Sequence, residues 1–283
     1  MARTYRRLLT PILALAALLY APSPALAQEY LGADLRDFAV LAGSAVTCTG
    51  LSTVDGDVGV SPSASITGFP VPCTTTGTLH AADATAAAAQ GDLTAAFTTL
   101  AGQACGLDLT GSDLGGLTLV PGTYCFSSSA QLTGTLTLDG QGDPNSVWVF
   151  QIGSTLTTAS ASSVVFINSG NPCGAQWQVG SSATLGTGTS FAGNILAQAA
   201  ITLNTGASLV GRALARVEAV TLDTNDISFA ACGAGAGAGA APPPFPGGGG
   251  GVPTLPALAL GLLAAALAVA GLTLLRRRSL TQA

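Results

Sequence analysis

The chain has 283 residues, only 8 % of them charged, and a formal net charge of −5. All 14 acidic residues lie between residues 28 and 232, against three arginines there (Arg36, Arg212 and Arg216) and no lysine, a local balance of −11. So acidic a segment, poor in aromatic residues, argues against contact with nucleic acid phosphates or stacked bases.

Residues 1–27 read as a secretory signal: Arg3, Arg6 and Arg7, an apolar core Leu8–Tyr20, then Ala25-Leu26-Ala27 before Gln28. The apolar run is short for a membrane span. Residues 28–232 are long enough for one domain with a sizeable core. Phe38–Phe69 reads as the first strands, with Asp55-Gly56-Asp57 as a turn. Calcium on the two aspartates is the rival reading, but no further carboxylates cluster nearby. From Ala81 to Ala101 the alanine-rich text, with apolar Ala86, Leu93, Phe97 and Leu100 on one stripe, predicts a helix that Gly91 weakens. Such a helix spans roughly 30 Å, about the height of six stacked β-coils. It is expected to lie along them, its alanines permitting close approach. His80, the one histidine, reads as a surface residue at the helix start and not as a catalytic base.

A Thr-Leu pair recurs at Thr118, Thr135, Thr155, Thr184, Thr202 and Thr221, at spacings of 17 to 20 except for one step of 29 that holds the Asn168–Gly174 loop. A period near 20 means stacked units, none of which buries its apolar face alone. The units are rich in Thr, Val, Ile and Leu and broken by Gly, Asn and Asp, which is strand-and-turn chemistry. The predicted class is mainly β: a right-handed three-faced β-solenoid with one long α-helix packed alongside. Trp148 and Trp177 lie in predicted strands and read as packing residues before they read as a sugar-stacking platform.

After the Thr-Leu pairs come Thr158-Ala159-Ser160-Ala161, Thr187-Gly188-Thr189-Ser190, Thr205-Gly206-Ala207-Ser208 and Thr224-Asn225-Asp226-Ile227. Equivalent positions stack in a solenoid, so Thr158, Thr187, Thr205 and Thr224 are predicted to line one outward face. Ser160, Thr189, Ser190 and Ser208 stand beside them, with no charge before Asp226. That Thr suits strands and Asn or Gly suits corners is the plainer explanation of the composition.

All six cysteines (Cys48, Cys73, Cys105, Cys125, Cys173 and Cys232) fall in the exported segment, where an even count implies disulfides. Pairing of sequence neighbours is expected, Cys48–Cys73, Cys105–Cys125 and Cys173–Cys232, each pinning a loop or an end of the stack. No Cys-x-x-Cys occurs, so zinc is not expected. One histidine and no Gly-x-Ser-x-Gly leave no catalytic triad, and no P-loop or zinc-protease motif is present. Neither enzyme activity, a cofactor nor a metal is expected.

Residues 233–251 form a Gly/Ala/Pro linker. Val252-Pro253-Thr254-Leu255 follows, then an apolar run Ala257–Leu275 just long enough to span a bilayer, then Arg276-Arg277-Arg278 on the cytoplasmic side. This tripartite tail, 252–283, resembles the IPTL-CTERM sorting signals of Gram-negative bacteria, with Val252 in place of the usual Ile and Pro256 where Ser-Glu-Trp often follows. The resemblance implies transfer toward the cell surface or extracellular polymer.

Residues 30–232 resemble the microbial ice-binding proteins built on a discontinuous β-solenoid with a flanking helix. The resemblance rests on Phe38-Ala-Val-Leu-Ala-Gly-Ser-Ala-Val-Thr47, Gly56-Asp-Val-Gly-Val-Ser-Pro62, Ile66-Thr-Gly-Phe-Pro70, Pro121-Gly-Thr-Tyr124, Gly140-Gln-Gly-Asp-Pro-Asn145 and Gly193-Asn-Ile-Leu-Ala197. Several members carry Thr-(Ala/Gly)-x-(Thr/Asn) on the ice face. Here the first two positions match at 158, 187 and 205, and the fourth is Ala161, Ser190 and Ser208. The resemblance implies a monomer with an ice crystal surface as partner. A surface adhesin or matrix scaffold, its hydroxyl face on cell-surface polysaccharide, is the alternative.

Overall fold

The structure, a computed structural model, describes residues 30–229. Its strands are short and almost all pair in parallel, so each must be reached by a crossover, and three ladders of pairing result. The first runs Leu107–Asp108, Gly122–Phe126, Trp148–Ile152, Ala175–Val179, Ser190–Ala197, Ser208–Ala215, Phe38–Ala42, Asp57–Val60 and Leu79–Ala81. The second is a seven-stranded sheet: Ala130–Leu132, Leu156–Thr158, Ala183–Leu185, Ile201–Leu203, Val220–Asp223, Ala45–Thr49 and Ser65–Thr67. The third joins Thr118–Leu119, Thr135–Asp139, Ser163–Ile167, the starts of the two long strands, Asp226–Ser228, Thr53–Asp55 and Thr74–Thr75. Mainly β with stacked parallel coils, the domain is solenoid-like.

Coil order departs from chain order. The last coil pairs with the first along all three ladders, as in Val40↔Ala213, Val46↔Val220 and Thr53↔Asp226. The helix α1 (Ala84–Ala101) carries the chain from the Leu79–Ala81 end of the stack to the Leu107–Asp108 end. It begins three residues later than the composition implied, because Leu79–Ala81 is spent as a strand and Asp83 then caps α1, accepting from the Ala86 N–H at 2.8 Å. Eighteen residues give a rod of roughly 27 Å.

Two cores result. Inside the coils, Leu and Val from alternate strand positions meet an aromatic stack in which Phe150 lies 3.8 Å from Trp177, with Tyr124 and Phe191 at either end. Both tryptophans are buried and donate their indole N–H to carbonyls, Trp148 to Leu119 and Trp177 to Ala192. They are packing residues. Outside the coils, Ala86, Ala89, Leu93, Ala96 and Leu100 of α1 press onto Leu41, Val149, Leu196 and Leu214 of the first ladder. Phe97, expected in that stripe, is only half-buried and carries the Arg216 guanidinium 4.6 Å above its ring.

His80 lies in a strand and not at the helix start, 2.7 Å from the Asp83 carboxylate and 3.5 Å from that of Asp57, against the Phe38 ring. Asp55 and Asp57 accept bonds from the Thr76 hydroxyl and the Thr78 N–H across the corner they form. Cys48 is bonded to Cys73 and Cys105 to Cys125. Cys173 is disulfide-bonded, and Cys232, its expected partner, lies outside the described residues. The signal peptide, linker, apolar run and arginine cluster lie outside them too, and among the described residues no helix is long and apolar enough to cross a membrane.

Candidate functional site

The seven-stranded sheet is built by strict alternation. In Thr184-Leu185, Thr202-Leu203 and Thr221-Leu222 each leucine is fully buried, so period two turns each threonine outward. Register aligns these threonines with Thr157, Thr47 and Thr67, and Gln131 ends the row. A column of six threonines thus runs up the sheet. Two positions earlier in each strand stand Thr155, Ser182, Ala200, Ala219, Ala45 and Ser65, all small and uncharged. Neighbouring strands lie about 4.8 Å apart and outward positions along a strand about 6.6 Å apart. That makes a two-dimensional lattice of small side chains on hydrogen-bonded backbone.

The hydroxyls of this column are uncommitted. Among the described residues, Thr47, Thr157, Thr184, Thr202 and Thr221 bond no protein group through their side chains, while Thr67 makes one long contact to the Val46 carbonyl. The corner beyond the sheet is the opposite case. There Thr205 and Thr224 both donate to the Asp223 carboxylate, the charge at the sheet's margin. Groups with strongly shifted ionisation lie elsewhere. Burial pushes the Tyr124 phenol up to about 12 and pulls Arg212 down to about 10, partly offset by Asp37.

The ladder expected from the sequence does not form one face. Thr158 and Thr189 are buried, 3 % and 0 % exposed, and bond each other at 2.9 Å across the inside of the corner. Thr158 stacks with Leu132 and falls at the level of Leu185, one step after the outward Thr157. Thr189 belongs to an inward polar row with Ser162 and Asn225, whose side chains satisfy corner carbonyls and N–H groups. Ser160, Thr187, Thr205 and Thr224 are exposed at the corner turn. Thr224 is out of step with the others: four residues lie between Leu203 and Ser208, but three between their partners Leu222 and Asp226. It therefore takes the left-handed place of Gly188 and Gly206, with φ 53° against 65° and 71°. Ser190 and Ser208 point out from the third ladder, in one row with Asp226. That ladder also exposes Val165 and Val210 and carries the Asp55 and Asp226 carboxylates, so it is neither uniform nor uncharged.

Sequence reasoning missed Thr47, Thr67 and Thr157, and used Thr184, Thr202 and Thr221 only to count the period. The signal was present: an inward Leu beside a Thr fixes that Thr outward. The markers also mixed faces, since Thr118 and Thr135 belong to the third ladder and Thr155 stands two positions before the column.

Residues 40–228 match the family model described as Ice-binding-like. A protein from Nostoc sp. (strain HG1), named ice-binding protein, is 55 % identical over 195 residues, covering 69 % of this chain and 72 % of its own length. The crystal structure of an ice binding protein from an Antarctic biological consortium is 42 % identical, with a TM-score of 0.69 over 73 % of this chain and 93 % of that one. That of an ice-binding protein from the ascomycete Antarctomyces psychrotrophicus is also 42 % identical, with a TM-score of 0.68 over 70 % and 97 %. Fold, repeat pattern and sequence agree, and the chain belongs to the ice-binding-like family.

Proposed function

We propose that the protein binds ice and opposes its growth or recrystallisation through the threonine column of the seven-stranded sheet. The observation that carries this is the row of uncommitted threonine hydroxyls on a regular lattice of small side chains, with Asp223 the one carboxylate of these strands, at their margin. Each threonine offers a hydroxyl to hold a water and a methyl around which water orders, whereas a charge keeps its own hydration shell. The lattice is held by backbone bonds on both sides of every inner strand, so ordering it on contact costs little entropy. Thr187, exposed at the corner turn, borders this surface and takes part at its rim. We read the coils as right-handed and three-faced, as parallel β crossovers almost always are right-handed. Thermal hysteresis and recrystallisation assays on the purified protein test the proposal directly. Inactivity in both would move the function to an adhesin or matrix scaffold using the same stiff surface.

We further propose export through residues 1–27 and tethering through Ala257–Leu275, on the strength of the arginines that flank both segments. A chain ending at Gly251 should then be recovered in the soluble fraction. Its recovery with membranes would contradict the tether.

A further inference from the structure

Beside the second half of α1, where the first ladder turns into the threonine sheet, the surface opens into a cleft of about 420 Å³. That lies within the roughly 300–1,000 Å³ range of small-molecule sites. Gly153 and Gly180 leave its floor without side chains, Phe97 stands on one side, and Asp108 and Ser127 lie toward the other. Between them sits Gln178, which is 7 % exposed and bonds no protein group among the described residues. Its neighbours differ. The Gln151 amide donates to the Leu100 and Gln103 carbonyls at 2.7 and 2.8 Å, and Gln198 accepts from Arg216. The rest of Gln178 is packed, but its amide reaches solvent in the cleft and is not among the buried unpartnered groups, so it is free to bond a ligand there.

The lining selects the ligand class. Arg216 is committed to Gln198 and to the Phe97 ring, which leaves Asp108 as the charge at the cleft. An anion meets no cation among the described residues of the lining. A wholly apolar molecule would seal the Gln178 amide away from water without a partner. An added peptide strand finds no edge, because Trp148–Ile152 and Ala175–Val179 are paired along both sides. A neutral sugar fits all three conditions: its hydroxyls donate and accept, and its C–H face packs on an aromatic ring and on glycine.

We propose that this cleft binds a neutral saccharide unit, held by the Gln178 amide and packed against Phe97 and the glycine floor. The site is separate from the threonine column and does not depend on ice binding. The test is isothermal titration of the full chain with cellotetraose, maltotetraose and trigalacturonate, repeated for Gln178→Leu and Ser127→Trp, with thermal hysteresis read on the same samples. At least one neutral tetrasaccharide should bind saturably and trigalacturonate should not. Gln178→Leu should weaken binding about tenfold, the ratio for one lost hydrogen bond, and leave hysteresis unchanged. Ser127→Trp, at an exposed position on the rim, should block the cleft without entering the core. Failure of both neutral sugars to bind would overturn the proposal, as would undiminished binding in both variants. So would equal binding of trigalacturonate, or binding of a peptide of residues 233–246 in place of the sugars.

Discussion

Whether a threonine of this protein can act on a surface depends on what its hydroxyl already holds. Thr158 and Thr189 hold each other, and Thr205 holds Asp223, so these hydroxyls serve the corner. Those of Thr184, Thr202 and Thr221 hold nothing among the described residues and face outward. Thr189→Val should therefore lower the melting temperature, since the buried Thr158 hydroxyl keeps only the Gly186 N–H and the Ala159 carbonyl loses its donor, while sparing ice shaping in whatever folds. Asp83 gives a second test at this scale. Its bonds from the Ala86 N–H and from His80 hold its carboxyl below the ordinary value of 3.8. A depressed value means that the cap contributes stability above that pH and loses it as pH falls through the folded value. Asp83→Ala should lower the melting temperature at pH 7, and the gap to the parent should narrow in acid as pH falls below 3.8 and through the depressed folded value. A gap independent of pH would show that the cap is not electrostatic. Residue-scale legibility was partial. Periodicity counted the coils, but only the inward leucine beside each threonine says which side it faces, and a one-residue slip at Thr224 breaks the count.

At the scale of elements, α1 was the most legible, because alanine content and an apolar stripe both marked it and no strand signal competed before Ala81. Its start was less so: Leu79–Ala81 joins the first ladder through pairing with Val58–Val60, a contact that local propensity does not contain. Leu93, fully buried between α1 and the coils, should cost about 2–5 kcal/mol when cut to alanine, measured by denaturant unfolding. Gly91 is the converse. A methyl added there meets nothing within 4 Å, so Gly91→Ala should stabilise by about 0.4–1 kcal/mol. An unchanged midpoint would mean that this part of α1 is not a regular helix in solution.

Residues 30–229 form a stack whose middle is made where the first and last described coils meet, and this was the least legible feature. Nothing local in Phe38–Ala42 says that Ser208–Ala215 will lie beside it, although the repeat text of both says strand. Such a closure depends on contacts across more than 170 residues, which makes folding slow. The disulfides Cys48–Cys73 and Cys105–Cys125 pin coils near opposite ends of that stack. Intact mass should rise by six protons on reduction, counting all six cysteines. No rise would remove the crosslinks from the account.

The central claim, that the seven-stranded sheet and not the corner meets ice, comes down to Thr202. It stands between Thr184 and Thr221, half-exposed, with small neighbours on every side. Thr202→Tyr raises a ring from the middle of the lattice and should change folding stability by no more than about 0.5 kcal/mol. Thr187→Tyr places the same ring on the corner turn. Thermal hysteresis measured on both variants and the parent should fall to the buffer value for Thr202→Tyr and only in part for Thr187→Tyr. Parent-like hysteresis in Thr202→Tyr, with loss in Thr187→Tyr, would contradict the sheet and return the site to the corner.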